Sequence, residues 1–250
     1  MKEEILKSLK NIEKQHDVKI LYACESGSRA WGFPSADSDY DVRFIYVHNL
    51  QWYLSLDDKK DTNNTFLPND LDMSGWEVRK ALTHFSKSNI SLYEWFYSPI
   101  VYFELGNFCS EIKKLIPKYF NQRKAIYHYC NLANTALQKH LEDGFISVKK
   151  LMYVLRSYLA CEWIQQEKTM PPTLFKEIYK KVASAQLQNE INDLINTKIN
   201  LTEHSKIKPF GAIKDFLTES AKYSLLAQEV EASTSHNTSS LNNIIFDLIK

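Results

Sequence analysis

The residues best suited to chemistry lie in the segment Glu25–Asp41. Gly27 and Ser28 directly follow a β-branched and aromatic run, and a glycine at that point lets the backbone approach a ligand closely. The amides that follow and the Ser28 hydroxyl can donate hydrogen bonds to phosphate oxygens. After ten intervening residues, Asp39 and Asp41 follow, separated by one residue and just before a second apolar run. The segment therefore combines groups that bind phosphate with groups that bind cations.

The carboxylates of Asp39 and Asp41 predict a site for a divalent metal ion. Side chains alternate along a strand, so both carboxylates are expected on one face, a few ångströms apart. Like charges at that distance repel each other unless a cation lies between them. Oxygen ligands suit Mg²⁺, which usually takes one or two carboxylates together with substrate phosphates, and Mn²⁺ accepts the same ligands. Beside a Gly-Ser turn, this arrangement is the one that metal-assisted nucleotidyl transfer requires.

Other interpretations of these residues differ in how well they fit. The run Asp37–Asp41 resembles the start of a calcium-binding EF-hand loop, but Val42 stands where that loop needs glycine and His48 where it needs glutamate. The glycines of the segment form neither a GxGxxG fingerprint nor a P-loop with its lysine, which excludes both of those nucleotide-binding folds. An ordinary polar turn, in which serine and aspartate act as caps, stays open on spacing alone.

Two motifs resemble the signature of the DNA polymerase β-like nucleotidyltransferases: Gly27-Ser28 and, after ten intervening residues, Asp39-Tyr40-Asp41-Val42 before an apolar strand. More narrowly, Glu25–Phe33 and Ser38–Arg43 resemble a bacterial and phage family of predicted nucleotidyltransferases that is associated with RNA ligases. Later segments are also similar to that family, namely Asp72–Lys80, Lys87–Tyr102 and Lys149–Arg156. The similarity therefore extends over most of residues 20–165.

This resemblance implies an α+β fold, in which an N-terminal mixed sheet with helices is followed by a C-terminal helical bundle. It implies that Gly27 and Ser28 contact the phosphates of a nucleoside triphosphate such as ATP, and that the two aspartates bind Mg²⁺ or Mn²⁺. Arg29 and Arg43, beside the main motif, can bind phosphate or pair with the aspartates. The resemblance leaves the acceptor open, because members of the superfamily modify nucleic acids, proteins and small molecules. RNA and RNA repair are suggested only by the association with RNA ligases.

Members of the superfamily usually add a third carboxylate from a neighbouring strand, for which Asp70, Asp72 and Glu77 are the candidates. Glu77 is better explained as the partner of Ser74 in a capping box, where two side chains satisfy backbone amides at a helix start. Asp70 and Asp72 alternate so that they share one strand face. We choose Asp72 as the third metal ligand, because it lies next to the predicted helix start, and it can also accept the proton of the acceptor hydroxyl.

A second cluster lies on the predicted helix Ser147–Gln166. Lys149, Tyr153 and Arg156 fall together on one flank of its apolar stripe at the 3.6-residue period. On a flank that faces a cleft, the two cations can bind triphosphate oxygens, and Tyr153 can stack on a base or hold a ribose. Because none of the three belongs to the stripe, we expect replacement of Arg156 to have little effect on stability. A solvated helix surface is the plainer interpretation, and the resemblance adds weight to nucleotide binding.

The secondary structure predicted for the segments that carry these residues changes from strands to helices along the chain. Runs rich in β-branched and aromatic residues predict strands over Val18–Cys24, Val42–Val47 and Thr65–Met73. Helical periodicity dominates from Ser74 onward, with longer helices predicted over Asn121–Leu141, Ser147–Gln166 and Thr173–Thr197. We predict a nucleotidyltransferase α/β domain over residues 1–115, a helical domain over residues 116–230, and a mobile linker with a short tail helix over residues 231–250.

Bulk properties limit the classes of partner. The chain has 31 Lys and Arg residues against 30 Asp and Glu residues, so any attraction for nucleic acid must come from local clusters. No apolar run approaches the roughly 20 residues of a membrane span, and the N-terminus has no signal-peptide pattern. The four cysteines are widely spaced without a CxxC pair, which favours neither a zinc site nor a disulfide framework. We expect a soluble cytoplasmic protein with no membrane partner.

Two other functional classes stay open. Arg123 and His128 have the Arg-x4-His spacing of the helical HEPN ribonucleases, in which arginine would stabilise a phosphorane and histidine would act as acid or base. Lys124 replaces the small polar residue that usually follows the arginine, and an apolar helix with a surface histidine fits the segment equally well. A catalytically inactive nucleotide-binding module is the other alternative, although all residue types of the metal site are present.

Overall fold

The computed structural model describes residues 1–35, 38–67, 70–200, 205–220, 222–230 and 237–249, apart from the side chains of 197–200. Asp37 and residues 231–236 of the predicted linker lie outside the described residues. Proximity of Cα atoms groups the chain into two compact units. One comprises Met1–Ala30, Asp39–Tyr119 and Thr234–Lys250, and the other comprises Trp31–Ser38 and Phe120–Ser233. The domain boundaries near residues 115 and 230 stay predictions.

The first unit mixes strands and helices, which confirms the predicted α+β class. Its elements begin, in chain order, with α1 (Lys2–His16), β1 (Val18–Glu25), α2 (Gly27–Trp31), β2 (Tyr40–His48), α3 (Leu50–Leu54), β3 (Thr62–Leu67) and β4 (Leu71–Glu77). They continue with α4 (Val78–Ser86), α5 (Ile90–Phe96), β5 (Val101–Glu104) and α6 (Phe108–Tyr119).

The described strands of this unit form one mixed sheet in the order β3-β4-β2-β1-β5. β2 and β4 run parallel, with Asp41 opposite Asp72, whereas the other neighbours are antiparallel. The single strand predicted over Thr65–Met73 is wrong, because β3 and β4 pair there as two antiparallel strands. Asp70, just before β4, has a left-handed φ of 55°. A residue with a left-handed backbone changes the direction of the chain. The alternation of apolar residues in the sequence does not indicate such a change.

Helices pack on both faces of the sheet. α1 has an amphipathic sequence, and it buries its apolar stripe of Ile5, Leu9 and Ile12 against one face of the sheet. On the other face, the hydroxyl of Tyr22 in β1 donates to the carbonyl oxygen of Trp95 in α5 at 2.9 Å. Burial alternates along β4 and so fixes its register, since a shift by one residue would turn Leu71 and Met73 away from the core.

The start of α4 differs from the predicted capping box of Ser74 and Glu77. Ser74 lies inside β4, where its hydroxyl donates to Asn64 of β3 at 2.7 Å. Glu77 itself is the N-cap of α4, and its carboxylate accepts hydrogen bonds from two amides of the first turn. At the next helix, the side chain of Asn89 caps α5 and accepts from the amide of Leu92 at 3.0 Å. β4 leads directly into α4, so pairing in the sheet rather than capping determines the position of Ser74.

The second unit is helical. Its elements are α7 (Gln122–His140), β6 (Ile146–Ser147), α8 (Val148–Glu167), α9 (Phe175–Val182), α10 (Ala185–Asn200), β7 (Lys206–Ile207), α11 (Gly211–Glu219) and α12 (Lys222–Glu229), and α13 (Ser239–Leu248) follows as part of the first unit. The helix predicted over Thr173–Thr197 is two helices, α9 and α10, and the hydroxyl of Ser184 accepts from the amide of Leu187 at the break. Among the described residues, no helix combines the length and apolar character needed to cross a membrane.

Candidate active site

The Gly-Ser turn and the carboxylate of Asp41 lie against each other in the first unit. β1 ends at Glu25, β2 begins at Tyr40, and the amide of Ser26 donates to the carbonyl oxygen of Asp41 at 2.8 Å. Gly27 has a φ of 60°, and a β-carbon on it would stand 2.2 Å from Oδ2 of Asp41. A side chain at this position would therefore displace the carboxylate. The turn needs glycine both for its backbone conformation and for the space that it leaves to Asp41.

Asp41 and Asp72 lie side by side on the parallel strands β2 and β4 and share one cation. Nη2 of Arg43 is 3.0 Å from Oδ1 of Asp41 and 2.8 Å from Oδ2 of Asp72. Nη1 of the same guanidinium donates to the carbonyl oxygen of Asp72 at 3.3 Å. The exposed fractions of the side chains are 19% for Arg43, 30% for Asp41 and 37% for Asp72, so solvent partly screens both ion pairs. Two carboxylates thus converge on a single positive group.

Of the two arginines beside the motif, Arg43 is engaged with the carboxylates, whereas Arg29 holds the chain that precedes β2. Nε of Arg29 donates to the carbonyl oxygen of Asp39 at 3.0 Å, and its guanidinium lies 3.8 Å from the ring centroid of Tyr40. Asp39 itself is exposed. Across the described part of the chain, no three His, Cys, Asp or Glu side chains form a ready metal-binding group, so Asp39 does not complete a cluster with the other two carboxylates.

The candidates for the third carboxylate have different environments. Asp72 lies on β4 beside Asp41, and Asp70 is exposed before that strand with a left-handed backbone. The prediction that Asp70 and Asp72 share one strand face is wrong, because the strand starts only at residue 71. Glu77 is buried, caps α4 and accepts a hydrogen bond from the hydroxyl of Tyr53 at 2.5 Å. Glu77 therefore serves the structure, although Ser74 is not its partner.

Glu25, which the motifs do not single out, is a buried carboxylate directly behind Asp41. Its Oε1 accepts from the amide of Asp41 at 2.7 Å, and its Oε2 accepts from the hydroxyl of Tyr102. Burial raises the pKa of Glu25, and the hydrogen bonds from Tyr102 and Asp41 oppose that shift. Glu25 thus fixes the backbone at the start of β2. An acidic residue that ends an otherwise apolar strand, next to the Gly-Ser turn, is the signal that could have identified it.

Ser28 lies in α2, and only 5% of its surface is exposed. A phosphate would therefore have to enter the Gly-Ser turn itself to reach this hydroxyl. The phosphate contact of Ser28 stays a prediction.

In the second unit, the predicted flank of α8 is largely buried. Arg156 is only 2% exposed, its Nη2 donates to the carbonyl oxygen of Thr173 at 3.2 Å, and its guanidinium lies 4.4 Å from the ring centroid of Trp31. Tyr153 is half-buried, with its ring 4.9 Å from Trp31 in an edge-to-face contact, and Lys149 is half-buried one turn earlier. The premise that Arg156 lies outside the packed part of α8 is therefore wrong, since its guanidinium is packed inside the unit. We expect its replacement to lower stability.

The C-terminal part of the main motif also packs in the second unit. The ring of Phe33 lies 5.5 Å from that of Phe175 in α9 and 6.2 Å from that of Tyr153. A β-carbon on Gly32, whose φ is 85°, would stand 3.1 Å from a methyl group of Leu174. Trp31, Gly32 and Phe33 therefore have packing roles, which the motif alone does not distinguish from ligand contact.

Arg123 and His128 both lie on α7. They are five positions apart, which corresponds to directions about 140° apart around a helix. The guanidinium of Arg123 lies 5.8 Å from the ring of Tyr127, and the ring of His128 lies 5.2 Å from that of Tyr129. The two side chains thus leave the helix in different directions, and nothing in their geometry favours a ribonuclease site.

Known proteins resemble this chain along almost its whole length. A family model described as RNA repair pathway DNA polymerase beta family matches residues 1–247. The uncharacterized protein YcgL of Bacillus subtilis (strain 168) is 40% identical over 252 residues, which cover 100% of this chain and 97% of that protein. A crystal structure of a nucleotidyltransferase-like protein from Exiguobacterium sibiricum 255-15 matches over 97% of this chain and 87% of its own, at 12% identity and a TM-score of 0.31. That structural likeness is too distant to carry an argument.

Proposed function

Since the chain belongs to the RNA repair pathway DNA polymerase beta family, we propose that it transfers a nucleoside monophosphate from a nucleoside triphosphate to an acceptor hydroxyl. Membership of this family supports a function of the nucleotidyltransferase type. In the proposed reaction, the acceptor oxygen forms a bond to the α-phosphorus as the bond from that phosphorus to the bridging oxygen breaks. Pyrophosphate leaves, and the hydroxyl proton passes to the protein.

The observation that carries this proposal is the convergence of Asp41 and Asp72 on one nitrogen of Arg43. Oxygens that accept from a single nitrogen are close enough together to bind a common cation, and carboxylate oxygens suit Mg²⁺ or Mn²⁺. The two carboxylates therefore fit a divalent metal ion, which Asp41 and Asp72 would hold. We assign Asp39 as a further ligand on the Asp-x-Asp motif alone, since its exposed side chain does not form a cluster with the other two carboxylates. Such an ion, when bound, would neutralise the triphosphate and stabilise the leaving pyrophosphate.

Residues around the carboxylates have separate tasks in this proposal. Gly27 leaves the space that Asp41 occupies, and Ser28 donates a hydrogen bond to a phosphate oxygen. Glu25 holds the amide of Asp41 and so fixes where its side chain begins. Asp72 accepts the proton of the acceptor hydroxyl while the new phosphorus–oxygen bond forms.

Arg29 and the α8 residues Lys149, Tyr153 and Arg156 also have tasks in this proposal. We assign Lys149 to phosphate and Tyr153 to the base or the ribose. Arg156 positions Trp31 through the contact of its guanidinium with the indole ring, because its burial leaves little surface for a ligand. Arg29 has a similar positioning task at Asp39, whose carbonyl oxygen it binds.

RNA is the acceptor that we propose, because the family is described as part of an RNA repair pathway. The test incubates the protein with α-labelled nucleoside triphosphates, Mg²⁺ or Mn²⁺, and separate pools of cellular RNA, protein and metabolites. We expect label in the RNA pool, loss of labelling in Asp41→Asn, and full labelling in Lys114→Ala, a change at an exposed residue of α6. Label in another pool would support the transferase activity and contradict RNA as the acceptor. An absence of label from every pool, with the protein folded, would contradict the transferase itself. RNA cleavage that is lost in His128→Ala would favour the ribonuclease instead.

A further inference from the structure

A pocket of the first unit lies at the end of β4 that is far from Asp41 and Asp72. It has a volume of about 400 Å³. It is lined by residues from α3, from the segment before β3, from the end of β4 at Glu77, and from α4. Glu77 is the last residue of β4 and lies five residues beyond Asp72, which corresponds to about 16 Å along a strand. The pocket is therefore separate from the proposed metal site.

Positive charge in this pocket exceeds negative charge. Nζ of Lys80 forms an ion pair with Oδ1 of Asp61 at 2.8 Å. The carboxylate of Glu77 accepts hydrogen bonds from the α4 amides and from the hydroxyl of Tyr53. Lys59 and Arg79 also line the pocket, and within the described part of the chain neither of them forms an ion pair. The carboxylates are thus already engaged, whereas two cations have no carboxylate partner among those residues.

Aromatic surface lies beside these cations. The ring of Trp52 lines the pocket and stacks on His48, with 4.1 Å between centroids and 3° between planes. Nζ of Lys59 lies 5.3 Å from the centroid of the same indole ring. Stacking on His48 fixes the indole in place, so its position does not depend on a ligand. α4 adds the hydroxyl of Thr83 and the imidazole of His84 to the pocket wall.

We propose that this pocket binds a nucleotide, with its phosphate between Lys59 and Arg79 and its base or ribose against Trp52. Guanidinium and ammonium groups form charge-assisted hydrogen bonds with phosphate oxygens. An aromatic ring beside cations is the combination by which proteins bind single-stranded nucleic acid, since every base has a face that can stack. The nucleotide belongs either to an RNA strand or to a free nucleoside phosphate, which present the same chemistry. The proposal does not depend on the proposed transferase.

The test measures binding by the full chain in EDTA, which keeps divalent metal ions away from the carboxylates. One probe is a labelled single-stranded oligoribonucleotide of about 12 nucleotides, a length within the range that such sites bind, and the other is a labelled nucleoside diphosphate. The double variant Lys59→Ala/Arg79→Ala removes both cations. Lys7→Ala/Lys14→Ala removes the same charge from exposed positions of α1 and is the matched control. Thermal melts show whether each variant is folded, and Lys59→Arg/Arg79→Lys keeps the charge.

We expect the pocket variant to bind at least one probe about tenfold more weakly, as the loss of charge-assisted contacts implies, whereas the control and the charge-conserving variant bind like the wild type. A loss for the oligoribonucleotide alone identifies an RNA strand as the ligand, and its salt dependence then becomes shallower. A loss for the nucleoside diphosphate identifies a free nucleotide. Unchanged binding of both probes, or an equal loss in the α1 control, overturns the proposal.

Discussion

Oδ2 of Asp41 lies where a side chain on Gly27 would begin, at 2.2 Å from the position of a β-carbon on that glycine. This relationship connects two motifs whose residues Gly27 and Asp41 lie fourteen positions apart in the sequence. The left-handed φ of 60° at Gly27 turns the chain out of β1, and the missing side chain lets the carboxylate of Asp41 lie against the turn. A phosphate bound in the turn would thus lie next to the carboxylate.

Gly27→Ala should therefore abolish transfer as well as lower stability. The left-handed backbone alone costs an alanine about 1 kcal/mol, and displacement of Asp41 adds to that loss. Gly106→Ala is the matched control, because Gly106 has a φ of 56° but nothing within 4 Å of an added β-carbon. Urea unfolding and a transfer assay on both variants check this prediction. Equal stability and equal activity of the two variants would show that the contact with Asp41 has no role.

Arg43→Ala should increase the stabilisation that Mg²⁺ gives. The variant leaves Asp41 and Asp72 side by side without their shared cation, so the metal-free protein should lose about 1 kcal/mol. A metal ion that takes the place of the guanidinium then binds more tightly and raises the melting temperature further than in the wild type. Melting curves with and without Mg²⁺ measure this difference. Lys114→Ala, which breaks an exposed pair with Glu111, should leave the Mg²⁺ effect unchanged.

Asp72→Asn should remove transfer, whereas Asp70→Asn should be nearly silent. Asp72 lies opposite Asp41 in the sheet, and Asp70 lies exposed before the strand, where its left-handed backbone tolerates asparagine. Binding of nucleotide should persist in both variants. Turnover and nucleotide titration on the pair provide the measurement. An inactive Asp70→Asn together with an active Asp72→Asn would assign the third carboxylate to the turn.

The stability of the first unit should depend on pH through His48. Burial, together with the charge of Lys59, lowers the pKa of His48 from 6.5 to about 4. The unfolded chain then binds a proton near pH 6.5 that the folded chain binds only near pH 4, so this histidine lowers stability as the pH falls through that range. His48→Phe keeps a ring beside Trp52 and cannot titrate.

Unfolding measurements between pH 4 and pH 8 should show His48→Phe gaining stability relative to the wild type only below about pH 6.5. His16→Gln changes an exposed histidine of α1 and should show no such gain. A constant difference between His48→Phe and the wild type at every pH would contradict the lowered pKa.

Much of the fold could be predicted from the sequence because its signals are local. The runs at Val18–Cys24 and Val42–Val47 form β1 and β2, and the helices predicted over Asn121–Leu141 and Ser147–Gln166 are α7 and α8. The single strand predicted over Thr65–Met73 runs across Pro68, Asn69 and Asp70, whose residue types favour a turn, so the hairpin of β3 and β4 did have a local signal in the sequence. Ser74 was misplaced because pairing with neighbouring strands decides where β4 ends.

The sequence motifs contain only those parts of the candidate site that are neighbours in the sequence, and Asp72 was added from the resemblance. Asp41 and Gly27 belong to recognisable motifs, whereas Glu25 takes its role from Tyr102, more than seventy residues away. Arg156 was expected on a helix flank, and its burial depends on Trp31, which helical periodicity cannot reveal. Long-range contacts of this kind determine the environment of a side chain, and spacing along one helix or strand does not contain them.

The proposed reaction is tested most directly by following the two ends of the triphosphate separately. RNA is incubated with Mg²⁺ and with nucleoside triphosphate labelled either at the α-phosphate or at the γ-phosphate, using the wild type and Asp41→Asn. The proposal predicts that the α-label enters RNA, that the γ-label leaves as pyrophosphate, and that Asp41→Asn does neither. Transfer of the γ-label to RNA, or wild-type labelling by Asp41→Asn, would contradict it.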